Sequence, residues 1–198
     1  MRCSHKGDGV LVGEVRNLLS DSRHENRWLP FVIAAVIVLF DRVTKAYVRL
    51  HLRDWDSIPV IPGWFRIVHT ENPGAAFGFL AQGNPLVRTV LLIGVSLVVL
   101  FFVVSTLLDR KSSFTSLPTR MGLGFILGGA IGNLYDRILI GTVTDFLEVY
   151  NGPWSFPAFN VADSAITVGA VFLLFDLLRP KRKLSRPTMI NPAEPTLK

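Results

Sequence analysis

Four apolar runs, each long enough to cross the hydrocarbon core of a bilayer, constrain this chain more than any other feature. They extend from about Trp28 to Val48, Pro85 to Leu108, Met121 to Ile140 and Val161 to Leu178. A helix needs roughly 20 mostly apolar residues to span a membrane. Unpaired backbone cannot face lipid, so a run of this kind is expected to be helical. The composition agrees, with 49% hydrophobic and only 18% charged residues, against about 25% charged in a soluble domain. A disordered chain, a small disulfide scaffold and an ordinary soluble enzyme are excluded. The first run follows a charged leader, as a signal peptide would. No A-x-A-like site closes it and three more runs follow, so it reads as a retained helix. Cys3 has no second cysteine to pair with, and with four scattered histidines it forms no zinc-ligand set. No metal and no cofactor are expected.

The charges between the runs predict an orientation. The stretch before Trp28, the connection between spans two and three and the tail after Leu178 together carry 14 Lys and Arg residues. The other side carries 4, namely Arg49, Arg53, Arg66 and Arg137. The positive-inside rule then places both termini in the cytoplasm. The basic tails, behind the net charge of +6, read as topology signals attracted to anionic lipid, with no nucleic-acid partner. Three regions follow: a cytoplasmic N-terminal tail over 1–27, a membrane domain over 28–178 and a basic C-terminal tail over 179–198.

The outward connections carry the pattern expected of a working face. Ile58 to Ile61 and Trp64 to Val68 are β-branched and aromatic around the turn formers Pro62 and Gly63, which suggests a small hairpin. Gly74 to Leu80 suits a short interfacial helix. The second outer segment, Gly141 to Phe159, places Trp154, Phe156 and Phe159 at the headgroup boundary. The expected fold is an all-α integral membrane protein of four transmembrane helices, with a small β-rich extracytoplasmic element between helices 1 and 2.

Polar side chains inside apolar spans need a partner or a task. Asp41 and Lys45 lie four apart on one face of the first span, in the acid-before-base order that pairs best. They form either a neutralised structural pair or part of a catalytic set, with Ser164 as the nucleophile of a Ser/Lys peptidase. The third span carries Gly122, Gly124, Gly128, Gly129 and Gly132, a spacing that lets another helix approach closely. Asn133, Asp136 and Arg137 follow, and their spacing predicts one shared face with an Asp136–Arg137 ion pair.

Asn160 and Asp163 share a face at the start of the fourth span, and Asp145 lies on a β-prone stretch at the same membrane boundary. Two close carboxylates do not easily both ionise, so one keeps a proton. That equips the pair for peptide hydrolysis, the anionic group taking a proton from water while the other polarises the carbonyl. A helix cap at Asp163 competes with this reading, as a salt bridge does for any single aspartate. A proton-coupled transporter and a structural subunit are the rival classes. A transporter is expected to place its acid nearer the midplane.

Five motifs in order resemble the lipoprotein signal peptidase family, also called signal peptidase II. They are Asp41-Arg-Val-Thr-Lys45, Asn72-Pro-Gly-Ala-Ala-Phe-Gly78, Gly128-Gly-Ala-Ile-Gly-Asn-Leu-Tyr-Asp-Arg137, Val143-Thr-Asp-Phe146 and Phe159-Asn-Val-Ala-Asp-Ser164. The resemblance covers about Trp28 to Leu178 and implies an aspartic peptidase of the bacterial cytoplasmic membrane. It implies Asp145 and Asp163 as catalytic, with Asn72, Gly74, Asn133, Arg137, Asn160 and Ala162 around the substrate. Asp41, Lys45 and Asp136 become structural polar residues. The implied substrate is a diacylglyceryl-modified prolipoprotein, cut on the amino side of its lipidated cysteine at the extracytoplasmic face. Membrane lipid is the other expected partner, and no obligate protein partner is evident.

Overall fold

The computed structural model describes residues 28–74, 84–109 and 116–179. Most of both tails, Cys3, the expected interfacial helix after Gly74 and the middle of the connection between the second and third spans lie outside the described residues. The described residues contain four long helices: α1 Leu29–His51, α2 Pro85–Leu108, α3 Leu117–Leu139 and α4 Val161–Leu178. Two of them, α2 and α4, are long and apolar enough to cross a membrane. The other two match the expected positions, but α1 carries Asp41, Arg42, Lys45 and Arg49, and α3 is rich in glycine and ends in polar residues.

Helix α1 inverts the pattern of a soluble protein. Its buried face is Pro30, Ala34, Ile37, Asp41, Lys45 and Val48. Phe40 is 58% and Leu50 80% exposed, whereas Asp41 and Lys45 are 0% exposed. Water would drive the opposite arrangement, whereas lipid stabilises apolar side chains outside and paired charges inside.

Helix α3 is the centre of the bundle, and missing side chains let its neighbours approach. A Cβ on Gly128 would lie 2.8 Å from Ile37 Cβ and 2.9 Å from the Ala34 carbonyl oxygen of α1. On another face, a Cβ on Gly129 would collide with the Ala162 carbonyl oxygen of α4. The glycines therefore serve two helices, which a single G-x-x-x-G seam would not.

The β-rich element is larger than expected and does not belong to one connection. Strands β1 Ser57–Ile61 and β2 Phe65–Asn72 come from the α1–α2 segment, and β3 Val143–Asn151 and β4 Trp154–Ser155 from the α3–α4 segment. They form one antiparallel sheet in the order β1-β2-β3-β4, so the all-α description needs this correction. Pairing between residues as far apart as Phe65 and Val149 is what local patterning cannot reveal. The sheet seats on the helix ends through Val48, Leu52 and Phe146, with Ile67, Leu147 and Val161 packed around them.

Candidate active site

Register brings the site together. In the β2–β3 ladder Thr70 faces Asp145 and Asn72 faces Val143, which makes Asn72 and Asp145 diagonal neighbours within side-chain reach. Asn72 Nδ2 donates to Asp145 Oδ2 at 2.9 Å, while the Gly74 amide donates to Asn72 Oδ1 at 2.9 Å. The chain after β4 folds back along β3, with the Phe159 amide donating to the Leu147 carbonyl at 3.0 Å. This delivers Asn160 to Asp145, and its Nδ2 donates to Asp145 Oδ1 at 2.7 Å.

Asn160 is also the N-cap of α4. Its side chain accepts from the Asp163 amide at 2.9 Å, and the Asp163 Oδ2 accepts from the Asn160 amide at 3.2 Å. This reciprocal capping box satisfies two orphan donors of the helix. Asp163 Oδ1 remains for Asn133 Nδ2, which donates at 2.7 Å from α3. The cap and the site are thus the same carboxylate, so the two readings of Asp163 do not compete.

Both carboxylates line a cavity of about 870 Å³ between the sheet, the 156–159 segment and the first turns of α4, with Arg137 in its wall. Burial raises the Asp145 carboxyl to about 7 from its ordinary 3.8; the Asp163 charge adds to this, and the amides of Asn72 and Asn160 oppose it. Asp145 therefore keeps its proton well above the usual carboxylate range. Ser164 and Thr167 of α4 supply further polar lining, and Trp55, Phe156 and Ile166 supply apolar lining.

Behind the cavity lies a buried charge cluster. Lys45 Nζ is 2.8 Å from Asp41 Oδ2, 2.9 Å from Asp136 Oδ2 and 3.1 Å from Asn133 Oδ1. Asp136 Oδ1 accepts from Arg42 and, at 3.0 Å, from Arg49 Nη2. Arg49 Nε donates to Thr144 Oγ1 at 2.6 Å, and that hydroxyl donates to Glu71 Oε1 at 2.7 Å. Burial raises the Glu71 carboxyl, but hydrogen bonds from Thr142, Thr144 and His69 and the Arg49 charge outweigh it, leaving the group below its ordinary range.

Three expectations need correction. Asp136 does not pair with Arg137: consecutive helix residues point about 100° apart, so Asp136 faces α1 while Arg137 faces the cavity. Arg137 Nη1 donates to the Asn133 carbonyl at 3.4 Å, with Asp163, Asp145 and, more weakly, Asp136 within electrostatic reach. Ala162 is 0% exposed and lies against α3, its amide donating to Asp41 Oδ1 at 3.0 Å; it holds the helix interface and does not line the cavity. Ser164 Oγ donates to the Asn160 carbonyl, and Lys45 has spent its donors elsewhere, so no Ser/Lys pair forms. Arg42, Arg49, Glu71 and Thr144 were not anticipated. The spacing Asp41, Lys45, Arg49 along one helix carried the signal for Arg49.

Apolar surface turned outward, buried paired charges and a cavity with two carboxylates define a membrane-embedded enzyme. A family model described as signal peptidase (SPase) II matches residues 33–179. A lipoprotein signal peptidase of Solibacter usitatus is 44% identical over 162 residues, covering 79% of this chain and 94% of its own. One from Syntrophus aciditrophicus is 41% identical, with 78% and 94% covered. A bacterial membrane enzyme solved by the in meso method superposes with a TM-score of 0.68 at 30% identity, covering 80% of this chain and 94% of that one. The protein is therefore a bacterial membrane protease. It belongs to the signal peptidase II family.

Proposed function

We propose that this chain removes the signal peptide from diacylglyceryl-modified prolipoproteins by aspartic hydrolysis, cutting on the amino side of the lipidated cysteine. The observation that carries the reading is the shared cavity of Asp145 and Asp163, with Asp145 protonated up to about pH 7. Asp163, held as an acceptor by Asn133 and the Asn160 amide, takes a proton from water. The hydroxyl oxygen attacks the scissile carbonyl while Asp145 gives its proton to the carbonyl oxygen. The tetrahedral diol then collapses: the C–N bond breaks, the Asp163 proton passes to the cysteine nitrogen, and a diol proton returns to Asp145. Arg137, Asn72 and Gly74 border the cavity, where they hold substrate backbone and the developing negative charge.

All four helices span the membrane in this reading, with both termini cytoplasmic and the sheet on the extracytoplasmic side. The paired burial of Asp41, Lys45 and Asp136 supports α1 and α3 as spans despite their polarity. Acids at the helix ends, away from the midplane, disfavour the transporter reading. The test is cleavage of a diacylglyceryl-modified prolipoprotein in detergent, read as a gel shift. Wild type is expected to cleave, and Asp145→Asn and Asp163→Asn, folded and inserted, are not. Cleavage by either variant would remove that residue from the mechanism. No cleavage by folded wild type would refute the activity.

A further inference from the structure

Three asparagine amides aim donors at the two carboxylates, and an amide serves as a donor only if its other end is anchored. Asn72 Oδ1 is anchored by the Gly74 amide and Asn160 Oδ1 by the Asp163 amide. Asn133 sits mid-helix, where backbone N–H groups are already committed to the ladder. Its Oδ1 faces Lys45 Nζ at 3.1 Å and Asn160 Nδ2 at 3.3 Å. An ammonium group only donates, so the oxygen must point at Lys45 and the NH2 at Asp163 Oδ1, 2.7 Å away.

We propose that Lys45 is a positioning residue for hydrolysis, fixing the Asn133 amide so that it donates to Asp163. This rests on the aspartic reading above. Lys45 Nζ has three partners, the ion-paired carboxylates of Asp41 and Asp136 and the hydrogen-bonded Asn133 Oδ1. Asp41 and Asp136 balance its charge, and Asp136 also ties α1 to α3. The third reaches the reaction, although Lys45 itself is 0% exposed and does not line the cavity. Without that third bond only the longer contact from Asn160 Nδ2, at 3.3 Å, holds the oxygen, and the amide turns over more readily to present Oδ1 to Asp163. A lone pair facing the carboxylate repels it and withdraws the hydrogen bond that orients Asp163 toward the attacking water.

The groups facing Asp163 are Asn133, the Asn160 amide, Asp145 and Arg137, and none is altered in the test. Two double variants of similar size keep the buried charge balanced, and only the second offers Asn133 an N–H donor: Asp41→Asn/Lys45→Met and Asp41→Asn/Lys45→Gln. The glutamine variant retains a neutral N–H for Asn133. The methionine variant is expected to lose about tenfold in kcat at neutral pH. KM is expected to stay unchanged. Glutamine is expected to restore kcat, whereas a purely structural Lys45 would leave the two variants alike.

Equal kcat in the two variants, or a loss that appears in KM, would therefore overturn the proposal. If neither double variant folds, the Asn133 carboxamide resonances of the wild-type fold decide. They are expected to shift on Asp163→Asn, and no shift overturns the proposal. Asp163→Asn measured alongside separates the two failures. If it cleaves, the aspartic reading fails. If it is inactive while both double variants match each other, only the role of Lys45 fails.

Discussion

Asparagine at position 145 is expected to remove the loss of stability that Asp145 causes as pH rises, as well as to stop cleavage. Asp145 is 3% exposed and its carboxyl is raised from 3.8 to about 7. A carboxyl raised by folding gives a contribution that is full below its unfolded value and lost as pH rises through the folded one. At about 1.4 kcal/mol per pH unit, the folded wild type gives up about 4 kcal/mol by pH 8. Asparagine has nothing to ionise and escapes this loss. It carries a cost of its own, because both carboxylate oxygens accept N–H donors, from Asn72 and from Asn160. An asparagine NH2 must face one of those donors, at about 1–3 kcal/mol at every pH. Wild type has already given up about 1.5 kcal/mol of this by pH 5, so the variant is expected to gain about 2–3 kcal/mol on wild type between pH 5 and pH 8 and to be the more stable of the two at pH 8. Thermal unfolding in detergent at both pH values reads this directly, at about 2–4 °C for each kcal/mol in a chain of this size. Melting curves that stay parallel between pH 5 and pH 8 would refute the burial argument, whatever the activity.

The other predictions concern the scaffold and the reaction. Gly129→Ala places a Cβ against the Ala162 carbonyl and is expected to cost about 1–3 kcal/mol and reduce cleavage, by pushing α4 and Asp163 away from Asn133. Gly94→Ala has nothing within 4 Å and is expected to leave the melting temperature unchanged or raised. Asp136→Asn leaves Arg42, Arg49 and Lys45 short of a shared carboxylate and is expected to destabilise by about 3–5 kcal/mol, visible as a lower melting temperature. Glu71→Gln is expected to lower stability at pH 7 with a cost that shrinks toward pH 3. The lowered Glu71 carboxyl contributes above its unfolded value and loses that contribution as pH falls. An equal cost at both pH values would contradict this. The cleavage rate is expected to fall on the alkaline side with an apparent midpoint near 7 as Asp145 loses its proton, and a flat profile to pH 9 would exclude Asp145 as the acid.

Much of this protein is written locally and can be read without a structure. The positions of the long elements follow from apolar runs bounded by turn formers and charges. The Asp41–Lys45 pair follows from a spacing of four on one helix. The meeting of Asp145 and Asp163 follows from their common depth at one boundary. What only the tertiary structure decided is the direction of each polar side chain. Spacing grouped Asn133, Asp136 and Arg137, yet successive helix positions turn by about 100°. Asp136 thus meets the cations of α1, Arg137 meets the cavity, and Asn133 bridges the two. The sheet is a second case: β2 and β3 pair Thr70 with Asp145 across a distant stretch of chain. Their partnership depends on register, which turn chemistry and burial settle only when both outer segments are folded together. Local periodicity fixes which face of an element is polar, but what stands opposite that face is a property of the whole packed molecule.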